Sequence, residues 1–335
     1  MLTRHALARA SRKQPCPVCG KPDWCSLSPD GAIAICMRQP SAHETHNGGY
    51  LHQLTSPTVA PARRPAAPPA PPPAPATQFR AEAAHVDAIY RALLREQLRL
   101  SDAHREKLLA RGLAPAEIAA RGYASTPGRE EAAQLTETLA HLDLRGVPGF
   151  YRERGQWRMV NAAPGYFVPY RDERGRVAAM QYRLDEPLNG GQTKYLWFSS
   201  PPERYPEGTS SGAPVHVSRP ELLPEAREVT LTEGALKADV ASFFLKAPVI
   251  AAAGVTLFGR HIGDRLRHLA PQLHTVYVAF DLDWKSNEAV KRALFRVLEE
   301  LERARFAARL RAWPPHMGKG IDDYLLTAAR GGDAA

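Results

Sequence analysis

Apolar positions change their period along the chain. Between residues 81 and about 142, Val86, Ile89, Tyr90, Leu93, Leu94 and Leu98 recur three and four apart, the spacing of one helix face. Ser101 and Asp102 form an N-cap signal for a second helix over 103–110, stopped by Gly112, and a third short helix starts after Pro115. From Gly149 to His216 the pattern becomes that of strands, at 157–160, 166–170, 177–183 and 194–198, with Asp172-Glu173-Arg174-Gly175 as a hairpin turn. After Pro224 strands and helices alternate. Strands are expected at 229–232, 249–253 and 275–280, with a weak one near 309–312. Helices are expected at 235–245, 260–269 and 288–308, with a last short one after Asp322. Such alternation predicts an α/β fold, a mostly parallel sheet with helices on both faces, whose chemistry belongs at the carboxyl ends of the strands.

The stretch 57–77 is almost wholly Pro and Ala, a composition that favours extended polyproline conformation and supports no core. It reads as a semi-rigid spacer. Four segments follow: a small module at 1–56, the spacer at 57–77, a mixed α+β segment at 78–224 and the alternating α/β segment at 225–335.

With 335 residues, 44% hydrophobic and 24% charged, the chain has apolar material for two or three packed modules, which excludes disorder throughout. No apolar run is long enough to span a membrane, and the basic N-terminus lacks the apolar core of a secretory signal, so a cytoplasmic protein is expected. The net charge of +9 is uneven. Residues 1–80 carry 9 Lys/Arg against 3 Asp/Glu, leaving 35 against 32 for the remainder. A basic front end points to a polyanionic partner.

All four cysteines fall between Cys16 and Cys36, too clustered to staple a chain this long, and read as metal ligands in a reducing compartment. Cys16 and Cys19 form a C-x2-C knuckle closed by Gly20. A hairpin turning at Pro29-Asp30-Gly31 returns Cys36 toward it. Pairing Cys25 opposite Ala34 puts Cys25 on the face of Cys36, which makes it a workable fourth ligand of a tetrahedral structural zinc, with His43 and His52 as the other candidates. A module of some 50 residues with few large apolar side chains needs such a metal to fold. Zinc ribbons either bind nucleic acid or simply hold a fold.

Three acidic pieces end strands in the α/β segment: Thr232-Glu233-Gly234, Asp281-Leu282-Asp283, and Gly318-Lys319-Gly320-Ile321-Asp322-Asp323. Carboxylates gathered at neighbouring strand ends concentrate a charge that divalent cations neutralise, magnesium or manganese being the natural occupants. Ions bridging phosphate oxygens suit phosphoryl or nucleotidyl transfer. Glu233, Asp281 and Asp283 are the candidate catalytic and metal-binding acids, with Asp322 as a further magnesium ligand. Lys319, between glycines, is a candidate phosphate contact.

These residues resemble the Toprim domain shared by bacterial primases, topoisomerases and some nucleases, in which a Glu-Gly follows the first strand and an Asp-x-Asp a later one. Upstream, Phe167 to Val177, Gln181-Tyr182-Arg183 and Lys194 to Ser200 resemble the basic subdomain that precedes Toprim in bacterial replicative primases. The cysteine hairpin is similar to the primase zinc-binding domain. The resemblance covers roughly three quarters of the chain, in the family's order. It implies a Toprim-type sheet preceded by a basic primase-core subdomain and an N-terminal zinc ribbon.

By that resemblance the chain is a DNA primase, a DNA-directed RNA polymerase making short primers on single-stranded DNA from nucleoside triphosphates. Arg171, Arg183, Lys194, Lys237 and Lys319 would contact nucleic acid or nucleotide, and Glu233 would act as general base or metal ligand. The zinc ribbon on its spacer would select template. Lys237 stands where replicative primases commonly carry an acid, and Cys36 is followed by Met37-Arg38-Gln39 rather than a second ligand pair. Both departures suit a divergent, mobile-element type. The chain has no G-x-x-x-x-G-K-[ST] motif, so a separate replicative helicase is expected to unwind the duplex. The alternatives are a Toprim nuclease that cleaves nucleic acid and a non-catalytic nucleic-acid-binding accessory protein.

Overall fold

The structure, a computed structural model, describes residues 7–43, 45, 49–54, 79–161, 163–191, 193–258 and 261–332. The spacer expected over 57–77 lies outside the described residues. The chain divides into two units, Met1–Ala74 and Pro75–Ala335.

In the first unit β1 (Ala8–Arg9), β2 (Ser26–Leu27), β3 (Ile33–Cys36) and β4 (Tyr50–Gln53) pair antiparallel in that order. Among its described residues the unit buries little besides its cysteines, Leu27 and Ala34: Ala10, Cys16, Cys25 and Cys36 cluster, with Val18, Cys19 and Met37 half-buried around them. The expected β2–β3 hairpin is present, but its register differs from the sequence reading. Ser26 faces Ile35 and Leu27 faces Ala34, which brings Cys25 level with Cys36. The reason is the turn, where the Ser28 N–H donates to the Ile33 carbonyl at 2.9 Å and so holds a longer loop than Pro29-Asp30-Gly31 alone.

The second unit opens with the helix Ala83–Arg91, which buries Val86, Ile89 and Tyr90 and runs on as a π-helix over Ala92–Gln97. Ser101 caps Asp102–Ala110, its hydroxyl accepting the His104 N–H at 3.3 Å, and Pro115 starts Pro115–Arg121 with its ring at a position that needs no N–H. The helix Arg129–Leu139 follows. The strands of this part are β5 (Ala124–Ser125), which precedes that helix, and β6 (Phe150–Glu153), β7 (Gln156–Met159), β8 (Gly165–Arg171), β9 (Val177–Pro187) and β10 (Thr193–Trp197), which follow it. β10-β9-β8-β5 form an antiparallel sheet and β6-β7 a separate ribbon. The β8–β9 turn is set by Asp172, whose carboxylate accepts the N–H groups of Arg174 and Arg176 at 2.9 Å.

The remaining strands, β11 (His216–Ser218), β12 (Glu228–Glu233), β13 (Val249–Ala252), β14 (Thr275–Val278) and β15 (Ala307–Leu310), lie in the order β11-β13-β12-β14-β15. All neighbours are parallel except β11, which runs antiparallel at the edge. Side chains of a strand alternate between faces. Leu231, Ile250, Val276 and Val278 therefore pack against Leu266, Leu294, Val297 and Leu301 of the helices Ile262–Leu269 and Glu288–Arg303. Val249 and Ala251 pack against Ala238, Ala241 and Ile321 of the helices Ala235–Leu245 and Ile321–Gly332 on the other face. Each fully buried Val, Leu or Ile contributes about 1.5–3 kcal/mol.

Several boundaries depart from the sequence reading by a few residues, β9 running on to Pro187 and β15 lying at Ala307–Leu310, and two departures have a plain local setting. The long helix ends at Arg303 rather than 308, because Arg305 adopts a left-handed φ of 62° that turns the chain into β15. β14 ends at Val278 rather than 280, although the Ala279 N–H still donates to the Leu231 carbonyl at 2.8 Å and keeps the chain beside β12 as far as Asp281. Leu108, Tyr166 and Val168 share a core with Ala235, Leu236 and Val240, so the segments on either side of residue 224 pack as one unit. Among the described residues no helix is long and apolar enough to cross a membrane.

Candidate active site and zinc centre

The four cysteine sulfurs lie within 4.8 Å of one another. A zinc ion bound tetrahedrally at about 2.3 Å from each sulfur requires sulfurs about 3.8 Å apart. Cys19 and Cys25 are 3.7 Å apart, Cys25 and Cys36 3.9 Å. Backbone N–H groups of Met37, Arg38 and Gln39 point at the sulfurs of Cys25 and Cys36 at 3.3–3.5 Å. Burial pushes the Cys25 thiol up to about 12 and raises Cys36 as well, whereas at Cys19 burial is outweighed by the Lys21 N–H and the neighbouring thiols, which bring the thiol down to about 7, so Cys25 and Cys36 need a divalent cation to ionise beside it. The donor set fits structural zinc, with Cys25 completing it. His52 instead places Nε2 2.9 Å from the Gln39 carbonyl, and His43 is not part of the cluster. Arg38 lies against the centre, Nη1 3.8 Å from Cys25 Sγ and Nη2 2.7 Å from Asp23 Oδ1, and offsets part of the thiolate charge.

The acidic rim is built at the carboxyl ends of β12 and β14. Glu233 is the last residue of β12, and Gly234, at φ 79°, makes the tight turn into Ala235–Leu245 that a β-carbon would strain. The Asp281 N–H donates to Glu233 Oε1 at 3.4 Å, so residues 48 positions apart meet at one edge. The loop Gly318–Gly320 closes over them: the Leu282 N–H donates to the Lys319 carbonyl at 3.1 Å, and the Gly320 N–H to Asp323 Oδ2 at 3.1 Å. Gly320 is needed for this approach. A β-carbon there would sit 2.4 Å from Asp322 Oδ1 and 3.3 Å from both Asp281 Oδ1 and Lys237 Cε.

Cations are threaded through the acids. Lys237 Nζ pairs with Asp281 Oδ1. Lys319 Nζ lies 2.9 Å from Asp283 Oδ2 and 3.4 Å from Asp281 Oδ2. Arg111 Nη1 reaches Asp322 Oδ2 at 2.9 Å from the end of Asp102–Ala110. Burial, reinforced by the charges of Asp281 and Asp283, raises the Glu233 carboxyl to about 7 in spite of Lys237. Burial lowers Lys237, but Asp281, Asp322 and Glu233 outweigh it and hold its ammonium above the ordinary range. Burial likewise raises Asp322. Two buried carboxylate oxygens, Asp283 Oδ1 and Asp322 Oδ1, have no hydrogen-bond partner. Hard oxygens left orphaned in this way fit a divalent cation. The fit is incomplete at Asp281, whose two oxygens both face ammonium groups, and among the described residues only the cysteines gather within 4.8 Å.

The other expected contacts are dispersed. Arg183 lines a cleft of about 290 Å3 with Lys107, Arg111, Tyr166 and Asp185, its guanidinium over the Tyr195 ring and donating to the Leu184 carbonyl at 2.6 Å. Lys194 is exposed on β10. Arg171 is not free to meet a ligand: Nη2 donates to the Arg121 carbonyl at 2.8 Å, which gives it a bracing part in the fold. Sequence reasoning missed Arg111 and Lys107, because basic residues near a helix end before a glycine read as ordinary C-terminal partners of the helix dipole.

The family described as Domain of unknown function (DUF3854) matches residues 224–332, the segment that carries all four rim acids. No curated protein matches the sequence. In three dimensions the chain is similar to the Aquifex aeolicus primase comprising zinc binding and RNA polymerase domains. The TM-score is 0.55 at 19% identity, over 75% of this chain and 58% of that one. It is similar to a DnaG primase catalytic domain bound to ssDNA, with a TM-score of 0.52 at 16% identity over 75% and 78% of the two chains. The RNA polymerase domain of Mycobacterium tuberculosis primase DnaG gives 0.55 at 16% identity over 75% and 80%. The chain thus spans 58% of the length of the Aquifex structure. At these identities the likeness is one of fold, a mixed α/β arrangement similar to primase catalytic cores.

Proposed function

We propose that the chain is a primase-like nucleotidyltransferase of the Toprim type that makes short RNA primers on single-stranded DNA. The observation that carries this reading is the meeting of Glu233 with Asp281 at the carboxyl ends of adjoining parallel strands, with Asp283 and Asp322 alongside. The fold likeness to primase cores, one of them bound to ssDNA, supports the same reading. In this account 1–56 is a template-selecting zinc ribbon, 57–77 a tether, 78–224 the basic subdomain and 225–335 the Toprim domain. A separate helicase supplies unwound template.

A magnesium or manganese ion, when bound, neutralises charge on the reacting phosphates. Glu233, Asp281, Asp283 and Asp322 are the residues that would hold it. In the other role open to it, Glu233 Oε would instead accept the proton of an attacking hydroxyl. Lys319, whose exposed ammonium pairs with Asp283 and Asp281, is the rim cation placed to give way to incoming ligands, since ion pairs made by an exposed side chain are weak. Arg183, Lys107 and Arg111 line the cleft where a nucleotide's phosphates or template would lie.

Template-directed incorporation on single-stranded DNA with Mg2+ or Mn2+ tests this. The wild-type chain is expected to extend product, and Glu233→Gln and Asp281→Asn to lose about 100- to 1000-fold in rate while still binding DNA. Template shortened rather than copied would favour the nuclease reading, and rates unchanged by both substitutions would remove the mechanism.

A further inference from the structure

We propose that Lys237 is a resident cation of the acidic rim, so that the site takes one divalent ion in the nucleotide-free protein where its four carboxylates alone would take two. The inference deepens the nucleotidyl-transfer reading and rests on it. Lys237 projects from the first turn of Ala235–Leu245, immediately after Glu233-Gly234, and its ammonium pairs with Asp281 Oδ1. Its stem runs past Gly320, where the missing side chain leaves the room it occupies. Lys237 is 26% exposed against 62% for Lys319. Held by Asp281 and with its stem packed against Gly320, it yields its place less readily than Lys319.

Charge balance points the same way. The groups facing this point are Glu233, Asp281, Asp283 and Asp322 against Lys237, Lys319 and Arg111, with Asp323 at the surface and engaged by the Gly320 N–H. One divalent ion that displaces Lys319 makes the four acids, Lys237 and Arg111 neutral together. A second ion would leave two uncompensated positive charges beside a fixed ammonium, with Asp281 Oδ1 already taken. The orphaned Asp322 Oδ1, on a side chain only 4% exposed, marks where donor capacity remains for a first ion.

Counting Mn2+ ions on the zinc-loaded full chain, by electron paramagnetic resonance and titration calorimetry without nucleotide, tests the proposal. Wild type is expected to bind one. Lys237→Glu is expected to bind two, since it removes the ammonium and adds a ligand. Lys237→Met keeps the stem without the charge, guards against misfolding of the acidic variant, and is expected to bind Mn2+ about tenfold more tightly. Two ions on wild type, or count and affinity unchanged in folded Lys237→Glu and Lys237→Met, would overturn the proposal while leaving the nucleotidyl-transfer reading in place. No Mn2+ on wild type or either variant would overturn both.

Discussion

Stripping zinc from the cysteine centre is expected to unfold the Met1–Ala74 unit and leave the Pro75–Ala335 unit folded. Among its described residues the first unit buries, apart from the ligands themselves, little more than Ala10, Leu27 and Ala34, so little would hold its short strands once the metal is gone. Structural zinc contributes about 10–16 kcal/mol in small modules of this kind, as much as the whole stability of an ordinary domain at about 5–15 kcal/mol. Four thiols this close, two of them pushed upward by burial, also repel as thiolates without a cation. Amide NMR of the full chain during chelation checks this: resonances of residues 7–54 should collapse to unfolded positions while those of 79–332 stay dispersed. Cys25→Ser should produce the same spectrum. A β2–β3 sheet that persists without metal would show that its own packing suffices.

Asp239→Asn is expected to cost the second unit about 3–5 kcal/mol, the range for leaving a buried ion pair without one partner. Asp239 is 2% exposed in the middle of Ala235–Leu245. Its carboxylate takes the Arg121 guanidinium, the Tyr123 hydroxyl at 2.5 Å and the Ser218 hydroxyl at 2.9 Å. His216 completes the set. Its Nδ1 accepts the Arg171 N–H at 3.0 Å, so the proton sits on Nε2, which donates to Asp239 Oδ1 at 3.0 Å. Asparagine removes the charge and leaves Arg121 buried with Glu117 as its one remaining acid.

Burial alone would raise this carboxyl, but Arg121 and His216 hold it well below the usual carboxylate range. A depressed carboxyl stabilises the fold fully above its unfolded pKa near 3.8, and that contribution is lost as pH falls further. Urea midpoints of wild type and Asp239→Asn should therefore differ most above pH 4 and converge toward pH 2. Equal midpoints at pH 7 would mean that the network is idle.

Much of the second unit was readable because each apolar strand of the α/β segment ends in a polar turn. Glu233 and Asp281 were legible for the same reason, being acids that follow runs of Val, Leu, Phe and Thr. β11 was not, since His216 and Ser218 are polar and face Asp239 in a core whose polar groups satisfy one another, which no hydrophobic period reports. Asp239 itself left a signal, a lone acid inside Ala-Leu-Lys-Ala-Asp-Val-Ala-Ser-Phe-Phe-Leu, where a buried acid demands a buried base. Lys237 was visible as a departure from the primase pattern, but its pairing with Asp281 depends on how closely Gly320 approaches. The register of Cys25 turned on the Ser28–Ile33 bond, and the early end of Glu288–Arg303 on a left-handed arginine, neither of which composition announces.

Anomalous diffraction from crystals grown with Mn2+ would locate the cation directly. The account predicts one manganese peak among the carboxylates of Glu233, Asp281, Asp283 and Asp322, with Lys237 still on Asp281. Full occupancy elsewhere on the chain with that rim empty would contradict it.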